Sequence, residues 1–538
     1  MFNQVLNPLG NVGLTALAAL IPVFVLLVLL AVFRVSAWAA TLIGSILTLI
    51  VAITLWHLPV GRGIEAYLIG SVDGVWAVDW ITFWGVVIFN TLTLTGLFDT
   101  LKKWLIEQAT ADVRIQTILL AWALGALLEG LVGFGYPWAV IAPILIALGV
   151  VELDAIRVAA IANNAPVSFG ALGAPIIALA AVTGLPLVAL SASVGKIVAI
   201  LALLPPWVLI YLVTGRKGFR DGWPLALVGS LAYIAGQFPV SQFLGPYLPD
   251  IIGALVSFGA LLLLLRVWRP KTVLGYGGVP LSEAAQEEHV AAGAGDSALH
   301  HSILAAWLPF LILIVVVVLW TGPWSPLPKI SLGGLKVTAI SSISHKTTAA
   351  SFDFTPFIGG TSILASWLVM LVFIRPSRAV LGQVFRQTFH QMWGALLVGF
   401  FIFGLAFAFN YSGMAASLAY GFSKVGPAFI LLAPILGWIG VALSGSNTST
   451  NAMFGLVQAQ VGKLLSFPVL LLPSLNSVGA EVGKPVAPQT ASVGVSTTRF
   501  VRNEGQVIRH NMGWTLVLLA WLIIVGLIYY FLLPVAMH

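Results

Sequence analysis

Charge is what this sequence has least of. Its 538 residues include 25 Lys and Arg and 18 Asp and Glu, or 8% charged, where a soluble domain carries about 25%. So few charges cannot cover a water-facing surface, which excludes an ordinary soluble globular protein. Cysteine is absent, so there are no disulfides, thiolate nucleophiles or Cys-ligated metals, and the redox compartment stays open. No positive stretch precedes the first apolar run, Val12 to Phe33, and no A-x-A-like site follows it, so it does not read as a cleaved signal peptide. The basic residues are scattered between apolar runs, without the patch that nucleic-acid binding needs. What the chain has is hydrophobicity, 59% of residues, with a mean hydropathy of +1.04. Runs of about 20 apolar residues make it an all-α polytopic membrane protein.

Runs long enough to cross a bilayer lie near 12–33, 37–56, 78–98, 186–213, 223–240, 251–267, 302–320, 361–374, 388–412 and 512–534. Two more stretches, 153–183 and 468–498, are broken by Gly, Pro and polar residues, and two others, 114–150 and 426–466, are interrupted at their middles. Reading the last two as re-entrant hairpins gives about 12 transmembrane helices. With Lys102 and Lys103 in the cytoplasm, 17 Lys and Arg fall inside and 6 outside, with Lys196 and Lys484 at membrane depth. That bias favours both termini outside. The predicted organisation is a first membrane half 1–269, a mobile cytoplasmic linker 270–301 and a second half 302–538. Glu283, Glu287, Glu288, Asp296, His289, His300 and His301 read as solvated linker residues rather than a metal site. Residues 321–360, rich in Ser, Thr and Gly, are expected to cap the outer face.

The interruptions repeat. Leu128-Glu129-Gly130 opens a Gly-rich tip, and 33 residues after Gly130 comes Asn163-Asn164-Ala165-Pro166-Val167-Ser168. Leu443-Ser444-Gly445 opens Ser446-Asn447-Thr448-Ser449-Thr450-Asn451, and 31 residues after Gly445 comes Asn476, leading to Glu481, Gly483, Lys484, Pro485 and Gln489. By the charge count the first hairpin enters from the cytoplasm and the second from outside, the arrangement of inverted-repeat transporters. Irregular backbone in hydrocarbon persists only where it is buried in protein or lines a wet cavity, so two matched pairs of breaks predict one shared central cavity. Close helix packing would account for the glycines but not for the polar run at 447–451.

Of the acidic residues, Glu129 and Glu481 sit well inside membrane segments, while Asp79 and Asp250 look interfacial. Intramembrane acids are functional by default. Glu129, among leucines with no base near in sequence, is a candidate proton carrier; the alternative is a protonated Glu that only hydrogen-bonds a neighbouring helix. Lys484 follows Glu481 by three residues, so on a helix the two would neutralise each other; an unwound chain would leave Lys484 for an anion. Asn163, Asn164, Ser168, Ser446, Asn447, Thr448, Ser449, Asn451 and Gln489 are candidate ligands for a carboxylate and an adjacent hydroxyl, or else hold irregular backbone. Half-helix N-termini at the breaks would favour the carboxylate. Gly130, Tyr411 and Gly445 are candidate gating or lining residues, and Lys196 is expected to snorkel or pair. No cofactor or metal is called for.

Taken together, Leu128-Glu129-Gly130, Asn164-Ala165-Pro166-Val167, Asn410-Tyr411-Ser412-Gly413, Gly445-Ser446 with Thr448-Ser449 and Asn451, and Gly483-Lys484 with Pro488-Gln489 resemble the L-lactate permease family over nearly the whole length. The resemblance implies proton-coupled uptake of lactate, glycolate or a related 2-hydroxymonocarboxylate through a prokaryotic cell membrane. It also implies an ion-transporter-like fold, often with an elevator movement in a homodimer. It carries Glu129, Asn164, Ser446, Thr448, Ser449, Asn451, Lys484 and Gln489 across as site residues. Asn447 stands where the family often has Asp, and Glu481 is an additional acid that could take over that charge. The partners expected are therefore a small organic anion, H+ and lipid, with no nucleic acid. Rival readings are a Na+-coupled carboxylate transporter, a channel and an intramembrane enzyme; no H-E-x-x-H or G-x-S-x-G occurs.

Overall fold

The computed structural model describes residues 2–108, 110–133, 135–282, 301–496, 498–500 and 503–537. Ten helical stretches among them are long and apolar enough to cross a membrane, eleven if the bent pair Glu152–Ala162 and Val167–Thr183 is one span. One of the ten, Leu187–Phe243, folds back at Gly215–Gly218: Ser191 Oγ donates to the Ser241 carbonyl and Gln242 Nε2 to the Ala192 carbonyl, so its ends lie together. Polar caps set several helix starts. Asn11, Ser302, Ser377 and Ser446 each accept a backbone N–H from the first turn that follows.

Two units share one element order. Each has two apolar helices (Val12–Ala31 and Ala37–Leu55; Ile303–Thr321 and Gly359–Ile374), then a 35-residue helix (Val60–Leu94; Arg378–Ser412) and a short helix (Leu97–Gln108; Met414–Ser423). A helical hairpin, a broken helix and a further helix follow in each. The helices Phe219–Phe243 and Pro249–Val267 stand between the units. Both 35-residue helices start well before the predicted spans at 78 and 388, because their first turns are too polar to read as membrane. They pack antiparallel: Gly70 meets Phe407, Gly74 meets Phe403 and Gly399 meets Asp79. A Cβ at any of these glycines would come within 2.5 Å of its neighbour, so small residues set this approach.

The loop 321–360 is not irregular. Gly334–Ile340 (β2) and Thr347–Asp353 (β3) pair antiparallel, and Phe2–Asn3 (β1) adds a parallel strand through Phe2 with Ala339 and Asn3 with Ile340. Val337, Ala339, Ala350 and Phe352 alternate inward and are buried, the period of a half-buried strand, masked in sequence by the surrounding Ser and Thr.

The opposite end of the bundle holds Arg157 and Arg499, which the charge count assigns to the cytoplasm, with their acidic partners. Asp154 takes bonds from Arg157, Tyr276 and His510, and Arg499 pairs with Glu152 at 2.5 Å. The first part of the linker is docked here rather than free: Leu274 N–H donates to Asp112, and Val113 N–H to the Leu274 carbonyl. His301 Nε2 lies 2.8 Å from the Thr95 carbonyl. Glu283, Glu287, Glu288, His289, Asp296 and His300 lie outside the described residues.

Candidate functional site

The two hairpins are Val113–Leu131 with Tyr136–Ala147, and Phe429–Ser444 with Asn447–Leu464. Their tips turn through left-handed residues, Gly133 and Gly135 in the first and Gly445 in the second, positions where a Cβ would strain the backbone. Both tips close on one dipeptide of the second broken helix. A Cβ on Gly135 would lie 2.7 Å from Thr490 Cγ2, and one on Gly445 would lie 2.7 Å from Gln489 Cβ. Thr490 Oγ1 also donates to the Gly445 carbonyl at 3.2 Å. The first broken helix bends by 64°, and its chain runs through left-handed Ala171, Leu172 and Gly173 before Pro175 resumes the helix.

Behind the tips lies a dry polar network that joins the units. Asn451 donates to the Pro175 carbonyl at 2.9 Å and to Ser477 Oγ at 3.1 Å, and it accepts from Asn476. Ser477 Oγ donates to Ser168 Oγ, and Asn447 donates to the Ser477 carbonyl. These asparagines therefore bridge the second hairpin to both broken helices. Asn163 donates to Glu129 Oε2 at 2.9 Å, whereas both side-chain polar atoms of buried Asn164 lack a partner among the described residues.

Lys484 pairs with Glu129 at 2.6 Å, both buried. The helical spacing that would have joined Lys484 to Glu481 is not realised, because the helix ends at Gly483 and Lys484–Val486 forms a tight turn before Ala487 runs extended. Glu481 instead accepts the Ser168 N–H with Oε2, and its Oε1 has no partner among the described residues. A third buried carboxylate joins them. Asp250 accepts the Tyr233 hydroxyl at 2.8 Å, lies within electrostatic reach of Glu129, Glu481 and Lys484, and packs on Gly130. Gly130 thus serves this cluster and does not line the cavity. In sequence Asp250 followed Pro249 at a helix start and looked like an interfacial residue; only the fold brings it inward.

In front of the tips opens a cavity of about 500 Å³, within the range of small-molecule sites. Gly445, Ser446, Thr448, Ser449 and Gln489 line it, with Thr490, Tyr136, Thr82 and Asp79. The last four were not singled out in the sequence as ligands. Ser446 caps the 18-residue second leg by accepting the Ser449 N–H, and Thr450 N–H goes to the Ser446 carbonyl. The N–H groups of Asn447 and Thr448 have no preceding carbonyl to satisfy them, so this helix start offers donors and partial positive charge to an anion. Tyr411 lines a different, smaller cavity of about 240 Å³, and its hydroxyl donates to the Thr338 carbonyl of the three-stranded sheet. Lys196 donates to the Ala536 carbonyl at 2.7 Å.

The family profile described as L-lactate permease matches residues 15–536. The chain belongs to the L-lactate permease family. Relatives within it include the glycolate permease of Escherichia coli K12, 34% identical with 96% of each chain covered. The L-lactate permeases of Bacillus subtilis and Escherichia coli K12 are each 31% identical, again over 96% of each chain. Members of the family are permeases, not enzymes, so a membrane carrier and not an active site is the frame for these residues. Among solved structures, the YdaH transporter of Alcanivorax borkumensis aligns over 87% of this chain and 88% of its own, with 15% identity and a TM-score of 0.45.

Proposed function

We propose that this permease carries lactate, glycolate or a closely related 2-hydroxymonocarboxylate across a prokaryotic plasma membrane together with a proton, and that both its termini lie outside. Support for the substrate class comes from the relatives' names and from the cavity. A helix start with free N–H donors, beside Ser446, Thr448, Ser449 and Gln489, faces a cavity of about 500 Å³ and suits a small carboxylate. The antiparallel packing of the two long helices supports an inverted repeat. A homodimer is also part of this reading.

The observation that carries the coupling is the Glu129–Lys484 pair. Lys484 follows the helix that carries Glu481 and precedes Gln489 at the cavity wall by five residues. While Glu129 is ionised it holds Lys484. A proton on Glu129 removes that hold and frees the ammonium for the substrate carboxylate, so proton and anion each favour binding of the other. Two further carboxylates, Glu481 and Asp250, share the same dry space. Three ionised acids around one lysine would leave two uncompensated buried charges, which is costly, so the cluster is suited to hold protons.

The test is uptake by proteoliposomes offered a panel of small acids under an imposed pH difference, with Na+ replaced by choline in a parallel set. Lactate or glycolate should accumulate with the pH difference, with or without Na+. Glu129→Gln should still exchange substrate down its gradient but no longer concentrate it. If Glu129→Gln concentrates lactate as the unmodified protein does, the proton role of Glu129 is wrong, and a strict Na+ requirement would replace proton coupling with sodium coupling.

A further inference from the structure

Among the described residues, Asp79 is the one acidic side chain on the wall of the cavity in front of the hairpin tips, and no Lys or Arg lines it. Asp79 sits at the end of Val75–Asp79, where the long helix widens to an i→i+5 turn, a distortion frequent at functional sites. It is 5% exposed, and its Oδ2 has no hydrogen-bond partner among the described residues. The room for its carboxylate is made by Gly399 on the antiparallel long helix: a Cβ there would lie 2.3 Å from both Asp79 oxygens. A buried carboxylate left without a donor costs free energy unless something supplies one. On the same cavity lies the N–H-rich start of the second hairpin leg, with Ser446, Thr448, Ser449 and Gln489.

The cavity is therefore polarised. A monocarboxylate entering it is drawn by its anionic end to the hairpin start and, while Asp79 is ionised, repelled at that end by Asp79, which orients it in the cavity. With the carboxylate held at the hairpin start, the substituents on C2 are what remain to face Asp79. In its ionised form the Asp79 carboxylate only accepts hydrogen bonds. A 2-hydroxyl satisfies it, a 2-oxo group offers only lone pairs, and an unsubstituted acid leaves it without a partner. We propose that Asp79 is the specificity-determining residue that accepts the hydrogen bond of the 2-hydroxyl and so selects 2-hydroxy acids over 2-oxo and unsubstituted acids. This rests on the transport reading above and adds to it the group that reads the substrate.

The experiment compares uptake of lactate, glycolate, propionate and pyruvate by the full-length protein and by Asp79→Asn in proteoliposomes. The unmodified protein should prefer lactate over propionate and pyruvate. Asp79→Asn keeps the shape but can donate as well as accept, so its preference for lactate over pyruvate should fall about tenfold or more. Gly399→Ala, which crowds the Asp79 carboxylate, should erode the same preference by a second route. A variant that folds but moves no substrate is read by the thermal shift that each acid produces, and loss of the lactate-over-pyruvate difference there also supports the assignment. An unchanged preference in either variant overturns it, as does loss of pH-driven accumulation with the preference intact, which would make Asp79 a proton carrier instead. If the unmodified protein moves none of the four acids, the transport reading fails, a result distinct from transport without discrimination, which overturns the Asp79 assignment alone.

Discussion

Arg114–Asp112 and Lys484–Glu129 are both ion pairs of 2.6 Å and both are buried, yet their surroundings differ. The Arg114 guanidinium grips both Asp112 oxygens and also donates to the Gly218 and Thr272 carbonyls, which engages four of its five donors. Asp112 accepts two backbone N–H groups besides, from Arg114 and Leu274. That pair is saturated and ties the first hairpin to the linker. The Lys484 ammonium has three donors but one hydrogen bond among the described residues, to Glu129, and two more carboxylates lie within electrostatic reach, Glu481 and Asp250. A saturated pair has nothing to gain by exchanging partners. An undersaturated one beside competing acids can be switched by a proton or an anion, so the environment and not the pair distance separates a clasp from a working part.

Breaking each pair from one side tests this most strongly. Lys484→Ala strands Glu129 and should cost about 3–5 kcal/mol of stability as well as substrate-induced thermal stabilisation. Replacing both partners, Glu129→Gln with Lys484→Met, should return the melting temperature close to that of the unmodified protein while pH-driven uptake stays lost; recovered uptake would make this pair a clasp too. Asp112→Ala should cost a similar 3–5 kcal/mol, about the loss of one buried partner, measured as earlier melting in detergent. The surviving folded protein should bind substrate with unchanged affinity, and a changed affinity would erase the distinction. At the tips, Gly445→Ala places a Cβ at left-handed φ and against Gln489. It should cost about 1–3 kcal/mol and weaken substrate binding, whereas Gly184→Ala, equally left-handed but with open space around it, should leave binding unaltered. The smallest expected effect is that of Ser446→Ala, which removes the cap of the second leg for about 1 kcal/mol and lowers substrate affinity with it, seen as a higher half-saturating concentration in uptake.

Much of this molecule was legible in one dimension. Long apolar runs locate membrane helices because hydrocarbon demands about 20 of them in a row. The Gly-rich and Ser-Thr-Asn interruptions mark the hairpin tips at Gly133, Gly135 and Gly445 because lipid tolerates irregular backbone so poorly. Ser446, Thr448, Ser449 and Gln489 stood out as polar residues where apolar ones were expected, and they line the cavity. Asn447 and Asn451 stood out for the same reason but face the dry network, since composition gives polarity and not direction. The strands β2 and β3 were hidden because their inward alternation is short and half of it is alanine.

The amino-acid order alone determined that this is a multi-span membrane protein with two matched sets of broken helices, since hydropathy and helix interruption are properties of neighbours along the chain. Only tertiary structure decided which charges meet. Glu129 and Lys484 are 355 positions apart, and Asp250 and Asp79 reach the cluster and the cavity by the crossing of helices. Pairing in a low-dielectric interior depends on distance through space, and that distance exists only once the two units have packed against each other.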